Sequence, residues 1–254
     1  MRAEFDVIVR RLRAAGCVFA EDEAALLIAE AESDDELDAM VDRRVSGLPL
    51  EHILGWAGFY GLRIAVEPGV FVPRRRTEFL AEQAIRLATS AIVVDLCCGA
   101  GAIGAAVLAH VPDANVFASD IDPAAVSSAR RNIPNGQVYQ GDLFDALPAS
   151  LRGSVSVLVA NTPYVPSEAI ALMPPEARLY ESRIALDGGA DGLDIQRRVA
   201  ASAPDWLRQG GSLLVETSEE QAPLTAAIFK RSGMPARIVS SEEHFATVVI
   251  GTRP

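Results

Sequence analysis

The stretch AIVVDLCCGAGAIGAAVLAHV, residues 91–111, decides the fold. A run of Ile, Val and Leu broken only by Asp95 reads as a buried strand, and IGAAVLAHV reads as a helix. Between them Gly99, Gly101 and Gly104 match G-x-G-x-x-G. Glycines in such a turn let the backbone approach a ligand closely and feed a helix whose N-terminus faces it. Taken alone, the pattern fits any tight strand-to-helix turn equally well.

Working outward, the alternation continues. NVFASD is a strand and PAAVSSARRN a helix; GQVYQ and SVLVA are strands; DIQRRVAASAPDWL is a helix, GSLLVET a strand and EEQAPLTAAIFKRSG a helix. ARIVSS and ATVVIG close the chain as strands, antiparallel because only a short connection joins them. Alternating strands and helices predict an α/β, doubly wound, Rossmann-like sheet over residues 77–254, with ligands at the carboxyl ends of its strands. Residues 1–48 read as a small helical domain, in which Gly16 and Gly47 close helices and Ser33 with Glu36 has capping-box spacing. Residues 49–76, apolar and aromatic with Gly and Pro punctuation, read as a β-hairpin or linker.

Bulk properties exclude several classes. The 254 residues carry a net charge of -11, which disfavours nucleic acid, since phosphate binding needs clustered Lys and Arg. Arg74, Arg75 and Arg76 form one local basic spot. Three cysteines, Cys17, Cys97 and Cys98, make no disulfide framework and point to a reducing cytoplasm. Three scattered histidines give no metal-ligand spacing, so no metal is expected. The N-terminus is charged throughout, unlike a signal peptide, and the longest uncharged apolar stretch has 14 residues against the ~20 a membrane span needs.

Three strand ends carry candidate chemistry. Asp95 lies four residues before the first glycine, where a carboxylate can organise the turn and a ligand ammonium. Asp120, 21 residues after Gly99, can accept both hydroxyls of a ribose. Asp122 precedes Pro123 and suits a helix N-cap instead. Asp142 can accept from an adenine amino group, with Leu143 covering the ring. These features fit NAD or S-adenosylmethionine. The fourth strand end, ANTPYVP (160–166), favours the second, because nicotinamide chemistry gives no reason for Asn-x-Pro-Tyr there. A planar amide or aryl amine is a poor nucleophile because its lone pair is delocalised. Two acceptors gripping its N–H bonds, the side-chain oxygen of Asn161 and the backbone carbonyl of Thr162, can aim that lone pair at a sulfonium methyl. Pro163 fixes the turn and Tyr164 covers the planar group; catalysis is then positioning plus electrostatics.

At this point the chain resembles the protein-(glutamine-N5) methyltransferases of the HemK/PrmC type, which modify peptide chain release factors. The matching stretches are RRVSGLPLEHILGWAGFYGLRIAVEPGVFVPRRRTE, VVDLCCGAGAIG, GDLFDAL, NTPYVP, RIALDGGADGLDIQRR and GGSLLVETSEEQA, together roughly residues 40–254. The resemblance implies a class I S-adenosylmethionine-dependent methyltransferase fold, with cofactor contacts at Cys97, Gly99, Gly101, Asp120, Asp142, Leu143 and Asn161. It implies contacts to the glutamine at Asn161, Thr162, Pro163 and Tyr164, with Phe71 as a cover, and a release factor as protein partner. The chain departs from the family pattern in four places. The usual Pro-Pro is Thr162-Pro163, the first glycine of the cofactor loop is Cys97, and a Pro and an acid have become Arg75 and Arg76. The N-terminal region, which helps the family recognise the release factor, is short. Alternative readings are an adenine-N6 methyltransferase, an NAD enzyme, and a nucleotide-binding protein without catalysis.

Overall fold

The computed structural model describes residues 2–88 and 91–254; Met1, the first residue of the expected N-terminal domain, lies outside them. Helices α1 (Arg2–Ala14), α2 (Ala20–Glu30), α3 (Asp34–Val45) and α4 (Leu50–Leu54) open the chain. They share one apolar cluster in which Leu12, Ala24, Leu27 and Val41 are fully buried and Ile53 takes part. Ser33 caps α3 by accepting from the Glu36 amide at 3.2 Å. The reciprocal bond reaches one residue further back than in a standard capping box: Glu36 accepts from the amide of Glu32, at 2.8 Å. Helix α4 falls in the stretch read as hairpin or linker, where five residues are too short a run to show helical period. The hairpin follows it, as β1 (Trp56–Phe59) paired with β2 (Leu62–Ala65).

Helix α5 (Glu78–Leu87), which the reading of strand alternation passed over, leads into the main sheet. The remaining elements are β3 (Ile92–Leu96), α6 (Ala102–His110), β4 (Asn115–Asp120), α7 (Pro123–Asn132), β5 (Gln137–Gln140), β6 (Val155–Ala160), α8 (Pro175–Tyr180), α9 (Asp194–Trp206), β7 (Leu207–Thr217), α10 (Ala222–Arg231), β8 (Ala236–Ser241) and β9 (Ala246–Thr252). The sheet order is β5-β4-β3-β6-β7-β9-β8. The first five strands are parallel, and β9 runs antiparallel to both β7 and β8, as expected from their short connection. Helices α5, α6 and α7 cover one face and α9 and α10 the other, so the central strands are buried on both sides.

Register places the site. Leu96 pairs with Ser119 and with Ala160, and Ala160 pairs with Val215. One residue beyond this row stand Cys97, Asp120, Asn161 and Glu216, each at the carboxyl edge of its strand. The order of strands reverses about β3, and ligands bind α/β sheets at such a switch point. The hairpin is tied to this edge by Asn132 of α7, which donates to the carbonyls of Ala65 and Ala100 and accepts from the Ala65 amide, each at 2.8 Å.

Candidate active site

Above that row of residues lies a cavity of about 570 Å³, within the usual range for small-molecule sites. Its walls include Cys97, Gly99, Asp120, Asp142 and Leu143 on one side and Phe71, Arg74, Arg76, Thr77 and Asn161–Tyr164 on the other.

On the first side, the turn after β3 is held by two carboxylates. Asp120 accepts from the Gly99 amide and, through its second oxygen, from the Asp122 amide, both at 2.9 Å. It therefore staples two loops while facing the cavity, and each oxygen keeps a lone pair for a further donor. Asp122 caps α7 by accepting from the Ala124 amide at 2.9 Å, with Pro123 in the first turn. Asp95 is not in the cavity wall. It lies behind the loop, 1% exposed, where Oδ2 accepts from the Gly104 amide at 3.0 Å and Oδ1 has no partner. Burial pushes its carboxyl from the ordinary 3.8 up to about 7, with the nearby charge of Asp120 adding to the rise. The turn-organising half of its expected role fits this position; a direct ligand contact does not.

Gly101 is likewise absent from the wall. With φ +78 it starts α6, and a Cβ there would meet Ile133 Cδ1 at 2.9 Å and the Ala129 Cα at 3.0 Å. Its missing side chain serves close packing of α6 on α7 rather than approach to a ligand. Cys97, at the position of a family glycine, does line the cavity and holds the left-handed φ of +53 that glycine adopts without cost. Burial, reinforced by Asp120 and Asp95, raises its thiol far above the usual value, and Cys98 is raised in the same way. Neither sulfur is a thiolate poised for attack. Among the described residues no group of three or more His, Cys, Asp or Glu could hold a metal ion. Asp142 faces the cavity but is engaged by Arg198 of α9 at 2.7 Å, a residue that no sequence signal singled out.

The second side is assembled from distant segments. Asn161 donates from Nδ2 to Thr77 Oγ1 at 3.3 Å, and its Oδ1 has no hydrogen-bond partner among the described residues. That commitment of the NH₂ group leaves the carbonyl oxygen as the free acceptor. Thr77 in turn stabilises the carboxylate of Glu216, which is 2% exposed and raised by burial. Tyr164 donates to Glu216 Oε1 at 3.4 Å, and Arg76 Nε lies 3.3 Å from the same oxygen. Burial and the Glu216 charge push the Tyr164 hydroxyl up to about 12, so it stays protonated. The guanidinium of Arg76 sits 5.7 Å over the Tyr164 ring, and that of Arg74 sits 4.7 Å over Phe71. Arg74 also forks onto buried Glu181 at 2.6 and 2.7 Å.

The GG-x-x-G run after β6 is structural support for ANTPYVP. The Gly188 amide donates to the Val165 carbonyl at 2.9 Å, and Gln221 donates to the Tyr164 carbonyl at 3.1 Å. A Cβ on Gly192 would stand 2.2 Å from that carbonyl, and φ there is +77. Thr162 is 1% exposed with its hydroxyl unpartnered.

A methyltransferase small domain family matches residues 61–183. The release factor glutamine methyltransferase of Geobacter sulfurreducens is 36% identical over 219 residues, covering 84% of this chain and 76% of that protein. The chain belongs to the release factor glutamine methyltransferase family. A 4-amino-L-phenylalanine/4-methylamino-L-phenylalanine methyltransferase of Streptomyces pristinaespiralis is also 36% identical, over 203 residues, 76% of this chain and 69% of that one. A methyltransferase structure from Pyrococcus furiosus superposes with a TM-score of 0.59 at 15% identity, covering 85% of this chain and 97% of that one, a likeness of fold. This chain is accordingly an S-adenosylmethionine-dependent methyltransferase of class I fold. The residues present fit that methyl donor: the Asp120 carboxylate at the end of β4, an acceptor at Asp142 and the loop at Cys97 and Gly99 face one cavity. None of its described helices is long and apolar enough to cross a membrane.

Proposed function

We propose that this protein methylates the side-chain amide nitrogen of a glutamine in a peptide chain release factor. The observation that carries the reading is the Asn161 carboxamide, held by Thr77 so that its oxygen is the free acceptor at the strand end. S-Adenosylmethionine, when bound, supplies an electrophilic methyl group. Asp120, Asp142, Leu143, Gly99 and Cys97 would hold it on their side of the cavity. Asn161 Oδ1 and the Thr162 carbonyl would accept the two N–H bonds of the acceptor amide, and Tyr164 and Phe71 would flank its plane. These residues would orient the nitrogen lone pair toward the methyl group, whose bond to the sulfonium would break as the N–C bond forms, leaving the neutral thioether S-adenosylhomocysteine; the extra proton would then pass to solvent, so no side chain need act as base. The arrangement supports catalysis by orientation and fixed dipoles. We assign residues 1–48 to substrate recognition and 77–254 to methyl transfer, with 49–76 joining them. Mass spectrometry of release factors from a deletion strain tests the reading: a glutamine one methyl group lighter than in the parent strain is expected, and an unchanged spectrum of every release factor sinks it.

A second reading draws on the Streptomyces relative, whose named substrates are aryl amines. An aryl amine is planar and has a delocalised lone pair, so the same acceptor pair and ring cover would serve it. Methylation of 4-amino-L-phenylalanine by the purified enzyme, with release factors untouched, would favour it.

A further inference from the structure

The acceptor side of the cavity carries positive charge that the methyl transfer itself does not use. Arg74 is neutralised by Glu181, both of whose carboxylate oxygens accept from its Nη2. Glu176, also in the wall, is taken by Arg44 at 2.6 Å. Arg76 differs. Its only ion pair among the described residues is from Nε to Glu216, and its two terminal nitrogens donate to no described residue. It is held on two sides, by the buried carboxylate and by the Tyr164 ring, yet its side chain is 48% exposed toward the cavity mouth. It lines the same cavity as Asn161, and its guanidinium lies over the ring of Tyr164, the residue assigned above to flank the acceptor group. A guanidinium fixed through Nε presents its remaining N–H groups as a planar fork, the shape that matches a carboxylate.

We infer that Arg76 is a specificity-determining residue that binds a carboxylate of the acceptor substrate. The substrate class is thus a planar amide or amine with a carboxylate within a side-chain length of the methylated nitrogen. The carboxylate can come from a neighbouring acidic residue of a protein or from the free α-carboxylate of a small amino-acid derivative. This rests on the proposed acceptor site but not on the identity of the acceptor protein.

Two matched pairs of probes test it by calorimetry on the full chain saturated with S-adenosylhomocysteine. One pair is N-acetyl-L-glutamine against its N-methylamide; the other is acetyl-Ala-Gln-Glu-Ala-amide against acetyl-Ala-Gln-Gln-Ala-amide. The carboxylated member of one pair should bind about 10-fold tighter or more, the scale of a hydrogen bond to a charged group. The pair that shows it identifies the source of the carboxylate. In Arg76→Gln the ratio should fall to about 1, and Arg76→Lys should restore part of it. Equal binding within both pairs by wild type, no binding of any carboxylated probe, or a ratio that survives Arg76→Gln overturns the inference. Methyl transfer to the same probes is read separately. Transfer without a carboxylate preference keeps the glutamine reading and sinks the role of Arg76. A binding preference without any transfer does the reverse.

Discussion

The two sides of the cavity are built in opposite ways. The cofactor side is acidic and more local: Gly99 is bound by Asp120 at the end of the next strand and Asp122 caps the helix that follows, with the Asp142–Arg198 pair as its long-range contact. The acceptor side is non-local and basic: Thr77 meets Asn161 across 84 positions, Tyr164 meets Glu216 across 52, and Arg74 meets Glu181 across 107. The first side recognises a constant ligand with residues set at strand ends. The second is free to vary, because its contacts come from loops that a rigid sheet merely holds in place. Of the departures with bearing on the substrate, Thr162 and Arg76 fall there.

If the two sides are separable, Asn161→Ala should cut methyl transfer by ~10²–10³, the usual cost of one preorganised polar contact. S-Adenosylhomocysteine binding should persist, somewhat weakened. Calorimetry beside a rate assay measures both, and an equal loss in each would erase the distinction. Next in size is the pH dependence of stability set by Asp95. Its folded pKa, about 7, lies above the ordinary 3.8, so between those values the folded state holds more protons than the unfolded state. The Asp95 contribution to stability should therefore be fully present below about pH 4 and be lost as pH rises through 7, by on the order of 2–4 kcal/mol. Denaturant titrations at several pH values should show that slope, and Asp95→Asn should flatten it. A slope unchanged in the variant would assign it to another group.

Asp120→Ala should weaken S-adenosylhomocysteine binding by ~1.5–3 kcal/mol, whereas Asp122→Ala should cost about 1 kcal/mol of stability and little affinity. Wild-type affinity in both would mean that Asp120 serves the loops alone. The smallest effects concern the two family departures that carry local strain. Cys97→Gly removes a left-handed non-glycine, and Thr162→Val removes a buried unpaired hydroxyl; each should leave activity intact and change stability by about 1 kcal/mol or less. A Thr162→Val enzyme that folds but no longer transfers methyl would show that the hydroxyl takes part, which would separate this site from a Pro-bearing one.

The strand–helix alternation, the antiparallel end of the sheet, the Asp122 cap and the Asn-x-Pro-Tyr strand end were legible because each depends on residues within one element and its next turn. Helices α4 and α5 were not legible: one is shorter than two turns, and the other stands outside the strand alternation. Glu216 carries a signal of the same kind as Asp95, a carboxylate near the end of the otherwise apolar strand GSLLVET, but its partners Thr77, Arg76 and Tyr164 lie far away in sequence. Arg198 offered no signal, since an Arg on the polar face of a helix is ordinary.

By itself the sequence determined which residues end strands, because apolar period and turn chemistry act over a few positions. It also determined the chemistry of those ends, because side-chain functional groups do not depend on the fold. Only the tertiary structure decided what each group faces. The pairing of Leu96 with Ser119 and Ala160 sets Cys97, Asp120 and Asn161 in one row, and crossing of the chain brings Thr77 and Glu216 to them. Asp95 and Gly101 lie outside the cavity wall, though both lie within the motif that first disclosed it. The motif's spacing fixes a turn, but which of its atoms meet the ligand depends on how α6 packs on α7, and that is settled by contacts far along the chain.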